Sequence, residues 1–472
     1  MAIFYKEGEA KTRPGIYQRY ENVGFSTLVN AQDGICAIPV RASWGPLGKV
    51  VKNNRAADLT KNYGSGTYGT SYTVPAAAEM FTGGAVTVYT YRLGTGGKKA
   101  SLDIGGLTAT AKYEGTMPLS VAVQVSLGDS NKKQLQVYAG TALVETFTFV
   151  ADGANEGANL MAAAAESKYI DLSAETAPAA VPVLAVASGA LTGGEDPTVT
   201  NEDYSKAFAA LEPFYYNTIA LDVDDDANMS LSLMLQEYKA AAYEMGKLGV
   251  AIVGEKTTVA FEKRLANAEL FNDYKCVYLG GGWMAGTESL DGALAICRTA
   301  GVIASTPANK GITHTVVKGA TELCESLTYY QYEEAINSGM LMVSLSPDGE
   351  IWFDSAVNTF RGPIDNVNDE GWKKIRRTKV RFELFDRLDR QLAPKIGRAS
   401  ADSDGIADVV QTGQRVLDAM VAESKLTAGA KFAVDPDNPY TGDSAWFIIQ
   451  ADDVDSLEHI YLRYQFRYSQ NA

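Results

Sequence analysis

The chain has 472 residues, enough for about three domains of ~150 residues each. Hydrophobic residues make up 46% and charged residues 21%, a globular balance with material for more than one core. The net charge is −15, from 42 basic and 57 acidic residues, and it argues against broad binding to nucleic acid or an anionic membrane. Cys36, Cys276, Cys297 and Cys324 form no CxxC pair and read as buried, reduced thiols. No basic region followed by an apolar run opens the chain, and no run reaches the ~18–20 apolar residues of a membrane span. A protein made in a reducing cytoplasm, without a signal peptide, fits these features.

Residues 1–30 read as an extended arm. Pro14 disfavours helix at Arg13, and Gly15 loosens the backbone after it. The segment Ile16–Phe25 carries Ile16, Tyr17, Tyr20, Val23 and Phe25 without a helical stripe; the same pattern fits a first core strand. Residues 31–94 read as the first part of a core domain, with strands at Ile35–Val40 and Ala85–Arg92 and helices at Ala56–Tyr63 and Val74–Phe81.

Glycine-rich joints at 94–97 and 189–194 bracket residues 95–195, which are rich in Thr, Val, Gly and Ala. Strand-like runs occur at Lys99–Leu102, Leu107–Tyr113, Leu119–Leu127, Lys133–Ala139 and Leu143–Val150, with one short helix at Glu156–Glu166. This spacing predicts a β-rich domain inserted into the surrounding fold.

Residues 196–360 switch to α/β alternation. Helices are expected at Glu202–Phe214, Met229–Leu248, Thr257–Leu270 and Glu288–Ser305, with Met245 and Leu248 on an apolar face of the second. Strands at Thr218–Val223, Val250–Gly254 and Lys275–Leu279 then make a largely parallel sheet. Tyr332–Ser338 reads as a helix, and Met340–Leu345 and Glu350–Phe353 as a hairpin around Pro347-Asp348-Gly349. Residues 361–472 complete the chain, with helices at Gly371–Leu392 and Ile406–Leu426 and strands at Trp446–Gln450 and Glu458–Ser469. The expected class is α/β (α+β), multidomain, with an α/β core, a β-rich insertion and extended arms at both ends.

Motifs for chemistry are weak. Gly249–Thr257 approaches a phosphate-binding loop, but Glu255 intervenes before Lys256, and a carboxylate among phosphates is repulsive. Asp222–Asn228 resembles the start of a calcium loop, yet Ala227 stands at the turn glycine and Leu233 at the twelfth position, so a solvated acidic loop is expected. Gly280-Gly281-Gly282 comes after a strand, where open α/β sheets bind ligands, but it is not GxGxxG and reads as a loop or a close packing contact. Neither His314 nor His459 has a partner at ligand or triad spacing. No catalytic, cofactor-binding or metal residue is assigned.

Two other features stand out. Ile460, Leu462, Tyr464, Phe466 and Tyr468 alternate with polar or amphipathic residues at the end of the chain. Such a strand is either a sheet edge or an arm that adds to another chain's sheet. Residues 373–398 carry ten basic residues against Glu383, Asp386 and Asp389, a local charge of 10 − 3 = +7. Lys373, Lys374, Arg376, Arg377, Lys379 and Arg381 head this helix and are expected to meet an acidic partner, or simply water.

Together these features resemble the contractile tail sheath proteins of bacteriophages, prophage-like particles and R-type bacteriocins, nearest to the Gram-positive type. The resemblance rests on Arg13-Pro14-Gly15-Ile16-Tyr17, on Ser355–Phe360 after the hairpin, and on Arg376-Arg377-Thr378-Lys379-Val380. It implies hexameric rings stacked helically around an inner tube, with contraction driving the tube through a cell envelope. It implies no cofactor and no catalysis. The implied partners are further copies of the chain, the tube protein, and baseplate and tail terminator proteins, with no direct contact to nucleic acid or membrane. The particle would be assembled in the bacterial cytoplasm and released by lysis. Ile16–Phe25 and Ile460–Tyr468 would then link subunits, and residues 95–195 would lie outside. That the basic helix faces the tube is an expectation from its charge. The competing readings are an α/β nucleotide- or sugar-handling enzyme working near Gly254 and Gly280, and a surface-layer module.

Overall fold

The structure is a computed structural model and describes residues 3–4, 17–18 and 33–466, apart from 154, 175–187, 225–228, 364–368 and 439. Its centre is a seven-stranded sheet of β1 (Ile35–Val40), β2 (Val50–Asn53), β3 (Thr87–Arg92), β4 (Thr218–Ala220), β5 (Val250–Gly254), β6 (Cys276–Leu279) and β7 (Met340–Leu341). The order is β7-β6-β5-β4-β1-β3-β2. Every pair is parallel except β2 against β3.

Apolar residues cover both faces of this sheet, as a parallel sheet flanked by helices requires. Cys36, Ile38 and Val40 join the layer that holds helices Val74–Thr82 and Ala293–Ser305. Ile35 and Ala37 point the other way, to helices Asn201–Leu211 and Met229–Glu244. The single-residue alternation along β1 sets the two layers.

The β-rich segment forms two sheets. One orders Ala142–Val150, Asp129–Ala139, Leu119–Ser126 and Ser188–Ala190; the other orders Ile170–Ala174, Leu107–Ala111 and Ser101–Asp103. They enclose their own apolar cluster around Leu107, Val121, Leu135, Val137 and Leu160, into which Trp44 reaches from outside. Antiparallel bridges Thr95–Thr198, Lys98–Glu195 and Ser101–Thr192 bind the two glycine-rich joints side by side.

Towards the C-terminus, helices Ile375–Leu392 and Ser403–Ala422 and the hairpin Lys431–Val434/Phe447–Gln450 surround Val380, Leu384, Leu388, Leu417, Met420 and Phe432.

Several elements depart from expectation. Glu288–Leu290 is a strand of a small sheet with Trp283–Ala285 and Glu322–Leu323, not the start of a helix. Gly292 at φ +59° separates it from the helix that begins at Ala293. The Met229 helix ends at Glu244, so Met245 lies beyond it and is exposed. The expected helix from Gly371 is a short 3-10 turn, Glu370–Lys373, then an extended Lys374, then the helix proper from Ile375. Met340–Leu345 divides: its first two residues close the central sheet, and Val343–Leu345 pairs with Ile351–Phe353.

Candidate assembly surface

Open parallel sheets offer ligands a crevice at the carboxyl ends of their strands. Here the chain's own side chains fill that place. Beyond β4, Asp222 accepts from Tyr204 Oη at 2.6 Å and Thr73 Oγ1 at 2.8 Å, with Arg41 Nε 3.5 Å away. Burial pushes this carboxyl up, and the charge of Arg41 and the two hydroxyl donors pull it back. Asp224 accepts from Tyr68 Oη at 3.0 Å and from the backbone N–H of Ala293 at 3.1 Å, and pairs with Lys256 at 3.1 Å. Asp222 and Asp224 are both buried, which corrects the expected solvated loop for the described part of Asp222–Asn228.

The approximate phosphate loop is closed in the same way. Glu255 is buried and accepts from Asn267 Nδ2 at 2.8 Å and from Tyr278 Oη. Gly280 has no room for a side chain, because a Cβ there would sit 1.9 Å from Met340 Sδ. The glycine triplet is a packing contact.

The basic helix does not present a free cationic face. Arg377 grips Asp453 with two hydrogen bonds, Nε at 2.5 Å and Nη2 at 2.9 Å. Arg381 reaches Asp453 at 3.1 Å and also pairs with Asp369. Lys374 pairs with Asp455 at 2.8 Å and Glu458 at 3.1 Å, and Arg376 Nη1 donates to Ser456 Oγ at 3.0 Å. Lys379 is turned inward and donates to the carbonyls of Ile303 and Thr306 at the end of a neighbouring helix; burial lowers it to about 8. Arg387 and Lys425 share Glu383 and Glu423 in a buried quartet. Arg390 pairs with Asp386 and Lys395 with Asp408. Lys373 and Arg398 have no acidic partner within ion-pair distance among the described residues. The excess charge that pointed this helix at another molecule is thus largely met within the chain.

The recognition motifs explain how the helix is held. Asn358 Nδ2 donates to the carbonyl of Trp372 at 2.6 Å, and Asn358 N–H to that of Lys373 at 2.9 Å. The N–H of Thr359 donates to Cys276 O in β6 at 2.9 Å. Ser355–Phe360 therefore ties the start of the basic helix to the central sheet.

The carboxylates that receive the charge come from outside the expected set. Asp452, Asp453, Asp455 and Glu458 form an acidic run immediately before the alternating tail. That run, complementary to the +7 helix, is the sequence signal for the contact.

Beyond Glu458 the tail leaves the body. Ile460, Leu462, Tyr464 and Phe466 are 70–93% exposed, and residues 459–466 belong to no strand in this chain. A strand needs a partner ladder, and none is supplied among the described residues. Tyr468 lies outside the described residues, as do Ile16, Tyr20, Val23 and Phe25. Tyr17 falls in a two-residue strand, Tyr17–Gln18, parallel to Ile3–Phe4.

Nearby, the hairpin Lys431–Val434/Phe447–Gln450 is a sheet of only two strands. Its outer residues Val434, Ile448 and Ile449, with Trp446 beside them, are exposed. One face of the hairpin packs on the helix Ser403–Ala422, but its outer edges carry no further strand among the described residues, and such edges suit added strands.

Comparison with known proteins gives this arrangement a context. Residues 198–359 match the family model for the phage tail sheath protein central domain. An uncharacterized protein of Bacillus subtilis, YqbK, is 26% identical over 422 residues, covering 83% of this chain and 81% of its own length. The sheath tail protein of Desulfitobacterium hafniense has a similar fold, with a TM-score of 0.72 at 20% identity over 93% of this chain and 100% of the other. The helical sheath of the anti-feeding prophage in its contracted state matches with a TM-score of 0.53 at 12% identity, over 97% of this chain and 99% of the other.

Proposed function

We propose that this chain, a member of the phage tail sheath family through the central domain it carries, is a structural subunit that polymerises around an inner tube. Subunits form hexameric rings stacked as a helix, and the helix shortens to drive the tube through a target envelope. Further copies are the main partner. The tube protein lies inside, and baseplate and terminator proteins cap the ends. The particle, a phage tail or a headless relative, is assembled in the bacterial cytoplasm and freed by lysis.

The observation that carries this reading is the pairing of two incomplete surfaces. One is an alternating apolar tail with no strand partner among the described residues. The other is a two-stranded sheet with exposed apolar residues at its edges. A strand from another copy completes both at once, adding backbone ladders and covering the aromatics. Residues 16–25 are proposed to join the same mesh. The filled crevice at the carboxyl ends of the central strands supports a structural role over an enzymatic one, since it leaves those carboxylates with internal partners. The basic helix remains a candidate tube-facing element, but through shape and through the flanking Lys373 and Arg398, which have no acidic partner within ion-pair distance among the described residues, more than through bulk charge.

Sedimentation and negative-stain microscopy of the full chain and a form lacking residues 460–468 test the proposal. The full chain should give rings or tubes that grow with concentration, and the truncated form a folded monomer. A full chain that stays monomeric at every concentration contradicts it.

A further inference from the structure

The contact between the basic helix and residues 453–458 has the features of a built receptor. Arg377 and Arg381 lie at i and i+4 on one helix face, and the extended Lys374 just before the helix adds a third cation to the same acidic segment. Gly371 makes room for one of them: a Cβ there would stand 2.2 Å from Arg377 Nη1. Trp372 supports another, with its ring 4.3 Å from the Arg381 guanidinium carbon. The acidic segment is seated from the other side too, since Glu458 accepts from Thr313 Oγ1 at 3.3 Å. Just upstream, Val454 N–H donates to Lys425 O at 3.0 Å and Thr427 N–H to Asp452 O at 2.8 Å. Held on both sides, the segment still leaves Leu457 82% exposed, so no apolar anchor holds it at that point.

We propose that these ion pairs form an electrostatic strap that sets the free length of the C-terminal arm. This rests on the reading of residues 460–468 as an intersubunit arm. With the strap closed, the arm pivots at Leu457–His459, and nine residues span at most ~30 Å. With the strap open, residues 455–458 beyond the Val454–Lys425 backbone bond are released, and the reach grows by ~13 Å. Because the strap is ionic and only half-buried, salt weakens it while leaving the apolar cores intact. The strap therefore governs how far linked subunits can separate before the link itself must break.

Hydrogen–deuterium exchange on unassembled full-length chain tests this independently of polymerisation. The double variant Asp455→Asn/Glu458→Gln should speed exchange at residues 455–459 about tenfold, and raising salt towards ~1 M should do the same to the unaltered chain. Exchange in Lys431–Val434 and Phe447–Gln450 should stay unchanged, which shows that the domain is still folded. Lys374→Glu should loosen the segment, and adding Asp455→Lys should restore slow exchange. Unchanged rates in the double variant, no response to salt, or no recovery in the charge-swapped pair would each overturn the strap. Failure of the arm reading would instead appear as unaltered polymers after removal of residues 460–468.

Discussion

The two ends of the molecule's chemistry make a contrast. At the carboxyl ends of the central strands, Asp222, Asp224 and Glu255 all face inward, and each has its donors within the chain. At the C-terminal sheet and tail, aromatic and branched side chains face water, and the sheet edges have no further strand among the described residues. The first region is complete in one copy; on the proposed reading the second is completed by another. A fold that elsewhere hosts ligands has here been closed off, and its unsatisfied valence moved to the periphery.

If that contrast is right, changes in the first region should cost stability and spare assembly, and changes in the second should do the reverse. Removal of residues 460–468 should have the largest effect: loss of all polymer above monomer in sedimentation, with a thermal midpoint unchanged within a few degrees, since exposed residues contribute little to folding. Asp222→Ala should be next, destabilising the monomer by ~2–3 kcal/mol in urea titration because it leaves two hydroxyls without their acceptor and Arg41 without its counter-charge; Arg41 is partly exposed and keeps its bonds to Thr70 O and Tyr204 Oη, which tempers the loss. The fraction that remains folded should still polymerise. Gly280→Ala should cost ~1–3 kcal/mol by forcing Met340 aside, again without an assembly defect.

The smallest effect concerns acid. Burial raises the Asp453 carboxyl, but the Arg377 hydrogen bond and the Arg381 charge outweigh it and hold the group below its usual value. Its contribution is therefore present above the unfolded value of about 3.9 and fades as pH falls through the lower folded value. Lys374 and Arg377 shift upward and stay charged throughout that window; Arg376, Arg381, Asp369, Asp455 and Glu458 share the site. Fluorescence anisotropy of a dye at the C-terminus should fall modestly between pH 5 and pH 3. No change, in a chain still folded by circular dichroism, would place the holding force elsewhere.

Much of the fold was legible because it depends on local periodicity. Val250–Gly254 is an unbroken apolar run between helices, and it is a buried strand with the expected bounds. The glycine-rich joints 94–97 and 189–194 lie beside the antiparallel bridges Thr95–Thr198 and Ser101–Thr192. What escaped depends on tertiary partners. The four-residue Lys431–Val434 becomes a strand only opposite Phe447–Gln450. Gly292 breaks the helix pattern through a left-handed backbone that composition does not announce. The basic helix was legible as charge, but its partners lie about 80 residues later, and spacing alone cannot match Arg377 to Asp453. The six residues read together at the head of the helix also diverge, since Lys379 turns into the body while Lys374, Arg377 and Arg381 hold the tail.

The central claim is that the tail of one copy adds to the C-terminal sheet of another. A photo-crosslinking side chain in place of Tyr464, in polymers mixed from isotopically light and heavy chains, tests it directly. The account predicts light–heavy crosslinks from position 464 into residues 431–450. Crosslinks confined to single chains, or intermolecular ones that avoid that hairpin, would contradict it.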